Sequence, residues 1–108
     1  MGKGPFCGVS SYILTANARR DLKSIWWYIA RDSLRHADLV EEAVLETCRS
    51  AAAISGLGHR RQGVRNPKIL FLSVSGYERY SIAYLSNSEP LQILRVLHGA
   101  RDVPRLFR

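Results

Sequence analysis

The stretch Asn66-Pro67-Lys68-Ile69-Leu70-Phe71-Leu72-Ser73-Val74-Ser75-Gly76-Tyr77-Glu78-Arg79-Tyr80-Ser81-Ile82-Ala83-Tyr84-Leu85 (NPKILFLSVSGYERYSIAYL) decides the fold, because the apolar period changes here. Upstream of Pro67, apolar residues recur every three to four positions. From Ile69 onward they come densely or at alternate positions and are rich in β-branched and aromatic types. Ile69 to Val74 reads as a strand, Ser75-Gly76 as a hairpin turn, and Tyr77 to Leu85 as the strand returning from it. Ser86 to Pro90 is polar turn material, and Leu91 to Leu97 reads as a further strand. Three consecutive strands joined by short turns form an antiparallel meander, and such a sheet needs a covering layer on one face.

The covering layer lies upstream. Tyr12-Ile13-Leu14-Thr15 is a short β-prone run. Ala18, Leu22, Ile25, Trp26 and Ile29 then fall on one face of a helix from about Ala16 to Arg31, with Thr15 as N-cap. Trp26 and Trp27 sit about 100° apart on that helix, which places Trp26 in the core and Trp27 nearer the rim. Asp32-Ser33 breaks the pattern and offers a second N-cap. Ala37, Val40, Val44, Cys48, Ala51 and Ile54 carry the stripe on to about Ser55, where Gly56-x-Gly58 reads as a helix stop. Asp38, Glu41, Glu42 and Glu46 form an acidic face toward the N-terminal half of this helix, the end a helix dipole favours for acid. Two helices joined by so few residues lie antiparallel. The expected architecture is therefore α+β: a short N-terminal strand, an antiparallel two-helix hairpin and a three-stranded antiparallel meander, in the order β-α-α-β-β-β. Residues 12–108 read as a single domain, and residues 1–11, with three glycines and a proline, as a flexible leader.

Strand parity sorts the polar residues. Tyr77, Arg79, Ser81 and Ala83 point one way, and Tyr80, Ile82 and Tyr84 the other. The last strand is apolar on both sides, so Arg95 within it has to find a carboxylate or reach the sheet edge.

Charge narrows the class of partner. The chain of 108 residues carries a net charge of +7, unevenly spread: residues 1–55 hold seven Lys/Arg against six Asp/Glu, and residues 56–108 hold nine against three. Thirteen of the sixteen basic residues are arginine, whose planar fork grips phosphates and carboxylates at two points, so an acidic partner is expected for the second half. No apolar run is long enough to span a membrane, and a cytoplasmic protein is expected. The leader has no signal-peptide stretch, and Phe6 stands where a myristoylation signal needs Ser or Thr. Cys7 and Cys48 make neither a disulfide framework nor a metal site, and His36, His59 and His98 lack metal-ligand spacing. No phosphate-binding glycine loop or nucleophile elbow occurs, so no cofactor or metal is expected. What remains is a cluster of Arg60, Arg61, Arg65, Arg79, Arg95, His98, Arg101 and Arg105 with Tyr77, Tyr80 and Tyr84 interleaved. Such a set can bind RNA by phosphate contact and stacking. With His98 as acid or base, it can also cleave RNA without a metal.

The run Leu14-Thr15-x-x-Ala18-x-x-Asp21-Leu22-x-x-Ile25-Trp26-x-Tyr28-Ile29-Ala30 resembles the opening strand and first helix of ParE-type toxins of the RelE/ParE superfamily. Gly58 with Arg60 and Arg61, the Tyr80-x-Ile82-x-Tyr84 strand and the closing Ile93-Leu94-Arg95-Val96-Leu97-His98-Gly99-Ala100-Arg101-Asp102 extend the resemblance over about Tyr12 to Phe107. It implies a RelE/ParE-like fold and the toxin half of a type II toxin–antitoxin operon, a plasmid- or chromosome-stabilising module. The implied partners are a ParD-like antitoxin in a hetero-oligomeric complex, operator DNA only through that complex, and DNA gyrase as the target, inhibited by protein contact.

The RelE branch cuts messenger RNA in the ribosome, and the chain departs from it. Where that branch has an arginine after the first tyrosine of the middle strand, this chain has Ser81. Where it has a tyrosine near the chain end, this chain has Phe107. Its basic pair near the first sheet hairpin has only Lys68 or the earlier arginines as substitutes, while Arg101 fits its post-strand arginine. Three readings follow. In a gyrase-directed toxin, Arg95, His98, Arg101, Arg105 and Phe107 are the candidate target contacts, and Arg60, Arg61, Arg65, Arg79 and Tyr80 the candidate antitoxin contacts. In a ribosome-dependent, metal-independent endoribonuclease, His98, Arg101, Arg65 and Arg79 are the candidate catalytic residues. In an inactive homologue, the chain serves operon autoregulation alone.

Overall fold

The structure, a computed structural model, describes residues 11–99. The elements are β1 (Tyr12–Leu14), α1 (Ala16–Ala30), α2 (Leu34–Ala53), a 3-10 turn (Ser55–Leu57), β2 (Ile69–Val74), β3 (Tyr77–Leu85) and β4 (Leu91–His98). The expected α+β order is the observed one. The sheet, however, has four strands in the order β1-β4-β3-β2, and β1 joins β4 in parallel with Tyr12 opposite Leu91 and Leu14 opposite Ile93. The chain therefore leaves the sheet at β1, crosses it as the helical hairpin, and returns at the far edge as β2.

Both helices begin on the caps the sequence offers. The Thr15 hydroxyl accepts the Ala18 amide at 3.3 Å, and the Ser33 hydroxyl accepts the His36 amide at 3.1 Å. Thr15 also donates to the carbonyls of Ile93 and Leu94, so the cap is tied to β4. Helix α2 starts at Leu34, and its first turn holds no acid. The carboxylates lie too far along to serve the dipole; instead Asp38 accepts the Trp26 indole N–H at 2.9 Å, and Glu42 and Glu46 both take Arg49.

The main core lies between the hairpin and the sheet. Ala18, Leu22 and Ile29 of α1 and Val40, Val44, Cys48 and Ala51 of α2 pack on Ile82, Tyr84, Ile93 and Val96. Trp26 belongs to the margin of this core: half-buried, it packs edge-on against Trp27 with ring centroids 5.3 Å apart and has its N–H directed at Asp38. A second cluster of Val64, Ile69, Phe71, Ala83 and Leu97 occupies the opposite face of the sheet, covered by the loop between Gly58 and Ile69. A bulge allows β4 to serve both faces. Ile93 pairs with Tyr84 and Arg95 with Ala83, leaving Leu94 as the extra residue. Leu91, Ile93 and Val96 thereby join the helix-side core, and Leu97 the other cluster, which explains the mixed parity of this strand.

Tyr84 links the layers. Fully buried, it donates to the Ser55 carbonyl at 2.6 Å and accepts the Gly58 amide at 2.9 Å, and burial pushes its pKa up. Gly58 itself is extended, with φ −75° and ψ 179°. It does not stop the helix through a left-handed turn: a side chain there would meet the Tyr84 hydroxyl at 2.6 Å and the Phe71 carbonyl oxygen at 2.8 Å. Gly76 does need its glycine, holding φ +84° in the β2–β3 hairpin.

Two predictions follow from this packing. Tyr84→Phe leaves the Gly58 amide and Ser55 carbonyl without their partner and is expected to cost about 1–3 kcal/mol. Gly58→Ala is expected to cost about as much through overpacking, and urea denaturation of both variants checks this. Burial also raises the Cys48 thiol from its ordinary 9.0 to about 12. The unfolded chain then releases this proton near pH 9 while the folded chain keeps it, so stability is expected to fall as pH rises between about 9 and 12. Cys48→Ala should flatten that fall in denaturation curves taken across the range.

Candidate functional site

Helix α1 is seated on β4 by one carboxylate. Asp21 accepts Arg95 Nε at 2.7 Å and Nη2 at 2.9 Å, and one of its oxygens also accepts the Val96 amide at 3.1 Å. β1 covers β4 only as far as Ile93, so beyond it Asp21 takes the place of a strand partner. The two side chains are only 26% and 17% exposed, and the fork-to-carboxylate geometry raises the Arg95 pKa further through its bond to Asp21. The requirement that Arg95 find a carboxylate is met, and its guanidinium is engaged inside the fold.

Past this anchor, β4 ends at a rim of aromatic and basic groups. His98 is exposed and stacks on Tyr80 of β3, centroids 4.7 Å apart and planes 23° apart. Burial raises the Tyr80 pKa, neighbouring Tyr28 of α1 adds to the rise, and Arg79 opposes it. Arg31 lies over the Tyr28 ring at 5.9 Å, and His36 of α2 meets Tyr77 edge-on at 5.8 Å. The Gly99 amide closes this end on the Arg79 carbonyl at 2.8 Å, with Gly99 at φ +80°.

The arginine cluster expected from sequence is divided by the sheet. His98 and Tyr80 stack on each other on the helix side, and the exposed Arg79 precedes Tyr80 in a stretch where the register with β2 shifts. Because of that shift Tyr77 also packs on the helix-side core, and not, as alternation predicts, with Ser81 and Ala83 on the other face. On that face, Arg61 lies 5.2 Å over the Phe71 ring with its Nε buried and unpartnered among the described residues, and Arg60 and Arg65 are exposed in the covering loop. Ser81 is 3% exposed, paired with Ser73 and Leu97, and its hydroxyl finds no partner among the described residues. Arg101, Arg105 and Phe107 lie outside the described residues. Sequence reasoning missed Tyr28 and His36, which join the rim only because the helical hairpin ends above β3. It also missed Asp21 as the partner of Arg95. Among the described residues no group of His, Cys, Asp and Glu is placed to hold a metal ion, and no helix is long and apolar enough to cross a membrane.

The fold, a helical hairpin across a mixed four-stranded sheet, is shared with solved structures. One, described as the chromosomal ParDE TA system from P. aeruginosa, matches at a TM-score of 0.67 and 19% identity, covering 85% of this chain and 98% of that one. It shows the fold. No curated protein matches. The sequence itself carries the identification: residues 12–103 match the family of the ParE toxin of type II toxin-antitoxin system, parDE, and the chain belongs to that family.

The anchor gives a direct test. Asp21→Asn leaves Arg95 without its counter-charge and weakens the bond to Val96, and is expected to cost about 2–4 kcal/mol. The double substitution Asp21→Leu with Arg95→Met should recover part of that loss in a double-mutant cycle measured by urea denaturation.

Proposed function

We propose that this ParE-family toxin arrests growth by binding and inhibiting DNA gyrase, and that a ParD-like antitoxin neutralises it. The observation that carries the reading is the separation of the groups that RNA cleavage needs on one side. His98 stacks on Tyr80 on the helix side of the sheet, whereas Arg65 is exposed in the loop that covers the other face. Ser81, at the position where ribosome-dependent nucleases of the superfamily have an arginine, is closed off beneath the second apolar cluster. A general acid or base without a neighbouring cation to take phosphate charge loses the larger part of its effect, of order 10²-fold for one such donor. Inhibition by contact asks for no such convergence.

The proposed gyrase surface is the rim at the end of β4: His98 with Arg101, Arg105 and Phe107, which follow it in sequence. Arg95 serves that surface by fixing β4 on α1. The proposed antitoxin surface is the loop on the opposite face, where Arg60 and Arg65 offer exposed cations, together with Arg79 and Tyr80 of β3. Arg61 contributes its place over Phe71. The neutralised form is a toxin–antitoxin hetero-oligomer, and operator DNA is reached through the antitoxin.

Induced expression without antitoxin is expected to give filamentous arrest and a DNA-damage response with intact transcripts, and the purified protein to inhibit supercoiling by gyrase. Arrest with transcripts cut at ribosome-bound codons would instead establish the nuclease reading and direct attention to His98, Arg65 and Arg79. Harmless expression with tight antitoxin binding would leave autoregulation.

A further inference from the structure

Helix α1 carries a stripe in which cations and aromatic rings alternate. Arg20, Lys23, Ser24, Trp27, Tyr28 and Arg31, recurring at spacings of three and four, line one shallow groove along it. Trp27 is 61% exposed and Tyr28 65%, although rings of this size stabilise a fold most when buried. Both are braced: Trp27 packs edge-on against Trp26, and Arg31 lies over the Tyr28 ring at 5.9 Å. Among the described residues, neither a carboxylate nor an aliphatic side chain lines the groove. Asp21 of the same helix is engaged by Arg95, and Asp32 stands beyond the helix end.

This composition selects the ligand. A groove for an amphipathic protein helix offers an aliphatic floor to leucine or valine anchors, and this one has none. A nucleobase needs an exposed ring face, and the phosphates of its strand need cations at intervals. Both occur here in alternation. Arg20 to Arg31 spans about 16 Å along the axis, enough for about five phosphates at the roughly 3.4 Å spacing of a stacked strand. A duplex keeps its base faces inside its own stack and would set Trp27 and Tyr28 against phosphate, so the exposed rings favour an unpaired strand. The stripe also continues past the helix. Tyr28 neighbours Tyr80, which stacks on the exposed His98 with planes 23° apart, a near-parallel geometry that a base can extend.

We propose that this stripe of α1, continued by the Tyr80–His98 stack, binds single-stranded DNA, with bases stacked on Trp27 and Tyr28 and phosphates held by Arg20, Lys23 and Arg31. The choice of DNA over RNA rests on the reading that the toxin acts on DNA gyrase, whereas the binding itself rests on the stripe. A toxin that holds an unpaired strand beside its protein target gains affinity from two contacts joined in one complex.

The test uses the full-length toxin with fluorescein-labelled oligo-dT, its duplex with oligo-dA, and oligo-U, and reads anisotropy at several salt concentrations. Oligo-dT is expected to bind more tightly than the duplex and to quench the indole emission. Trp27→Ser with Tyr28→Ser, which leaves the charge unchanged, is expected to weaken oligo-dT binding about tenfold or more, and Trp27→Phe to keep most of it. Lys23→Glu should weaken binding about fivefold and flatten its salt dependence. Lys68→Glu, the same change of charge at the opposite edge of the sheet, should leave affinity within about twofold. Circular dichroism and thermal midpoints should remain those of the parent, because the substituted side chains are exposed. No binding of oligo-dT at low salt, unchanged affinity in the serine variant, or equal losses in Lys23→Glu and Lys68→Glu overturns the proposal. Tighter binding of oligo-U overturns the assignment to DNA, and a serine variant that loses gyrase inhibition but not oligo-dT makes the stripe a protein contact and overturns it too. Supercoiling assays on the parent judge the gyrase reading separately: a toxin that binds oligo-dT through these side chains yet leaves gyrase active overturns that reading alone.

Discussion

The carboxylate of Asp21 is the constraint on which the arrangement of layers depends. A sheet edge exposes amide groups that need partners, and β1 is too short to supply them along the whole of β4. At the bulge, where the strand changes the face it serves, Asp21 accepts both the strand amide and the arginine that the strand could not otherwise bury. One group thus satisfies an edge donor, a buried cation and the seating of a helix. Thr15 adds two bonds to the same stretch of β4, so α1 is fixed at its start and again about a turn and a half later. With its axis and rotation set in this way, the positions of Trp27 and Tyr28 follow. The loss of this anchor would disturb the rim as well as the core.

Tyr84 plays the corresponding part where the chain leaves the hairpin. Its hydroxyl reaches through the core to the chain leaving α2, and Gly58 is flat because the tyrosine and the β2 backbone leave no room for a side chain. The two anchors lie on neighbouring strands and address the open end of the hairpin, where α1 begins and α2 ends. Between them the core is filled by small and medium side chains of α2, Val40, Val44, Cys48 and Ala51, set on Ile82 and Ile93, which lets the helix lie close to the sheet.

The order of elements was legible because period is a local property. The change from 3.6 to 2 after Pro67, the two hydroxyl caps and the Ser75-Gly76 turn each need only a few residues to be read. The pairing of β1 with β4 was not legible, since a parallel contact between residues nearly 80 apart leaves no mark on either segment alone. For Arg95, burial physics specified the kind of partner but not which of nine acids would supply it. The bulge at Leu94 was concealed by a strand apolar on both sides, where parity carries no information. Gly58 was read by analogy with helix-ending glycines, and only the approach of Tyr84 shows that the reason is space. The candidate site was the least legible part, because an arginine's place in the sequence does not say which face of a strand it serves once turns and loops intervene.

His98 stands on the helix side of the sheet, and Arg65 in the loop that covers its other face. Catalysis on a phosphodiester needs an acid or base and its charge-stabilising partners converging on one atom within hydrogen-bonding distance, so a sheet between them is a barrier whatever the total charge. Recognition of another protein has no such requirement. It gains from spreading contacts over two faces, because each can hold a different part of the partner and neither has to be accurate to a fraction of an ångström. Here the apolar clusters on both sides of the sheet, the Asp21–Arg95 anchor and the Tyr84 link spend the interior on rigidity, and the exposed aromatics and arginines are distributed around it. The described residues thus present several separate surfaces around one rigid interior.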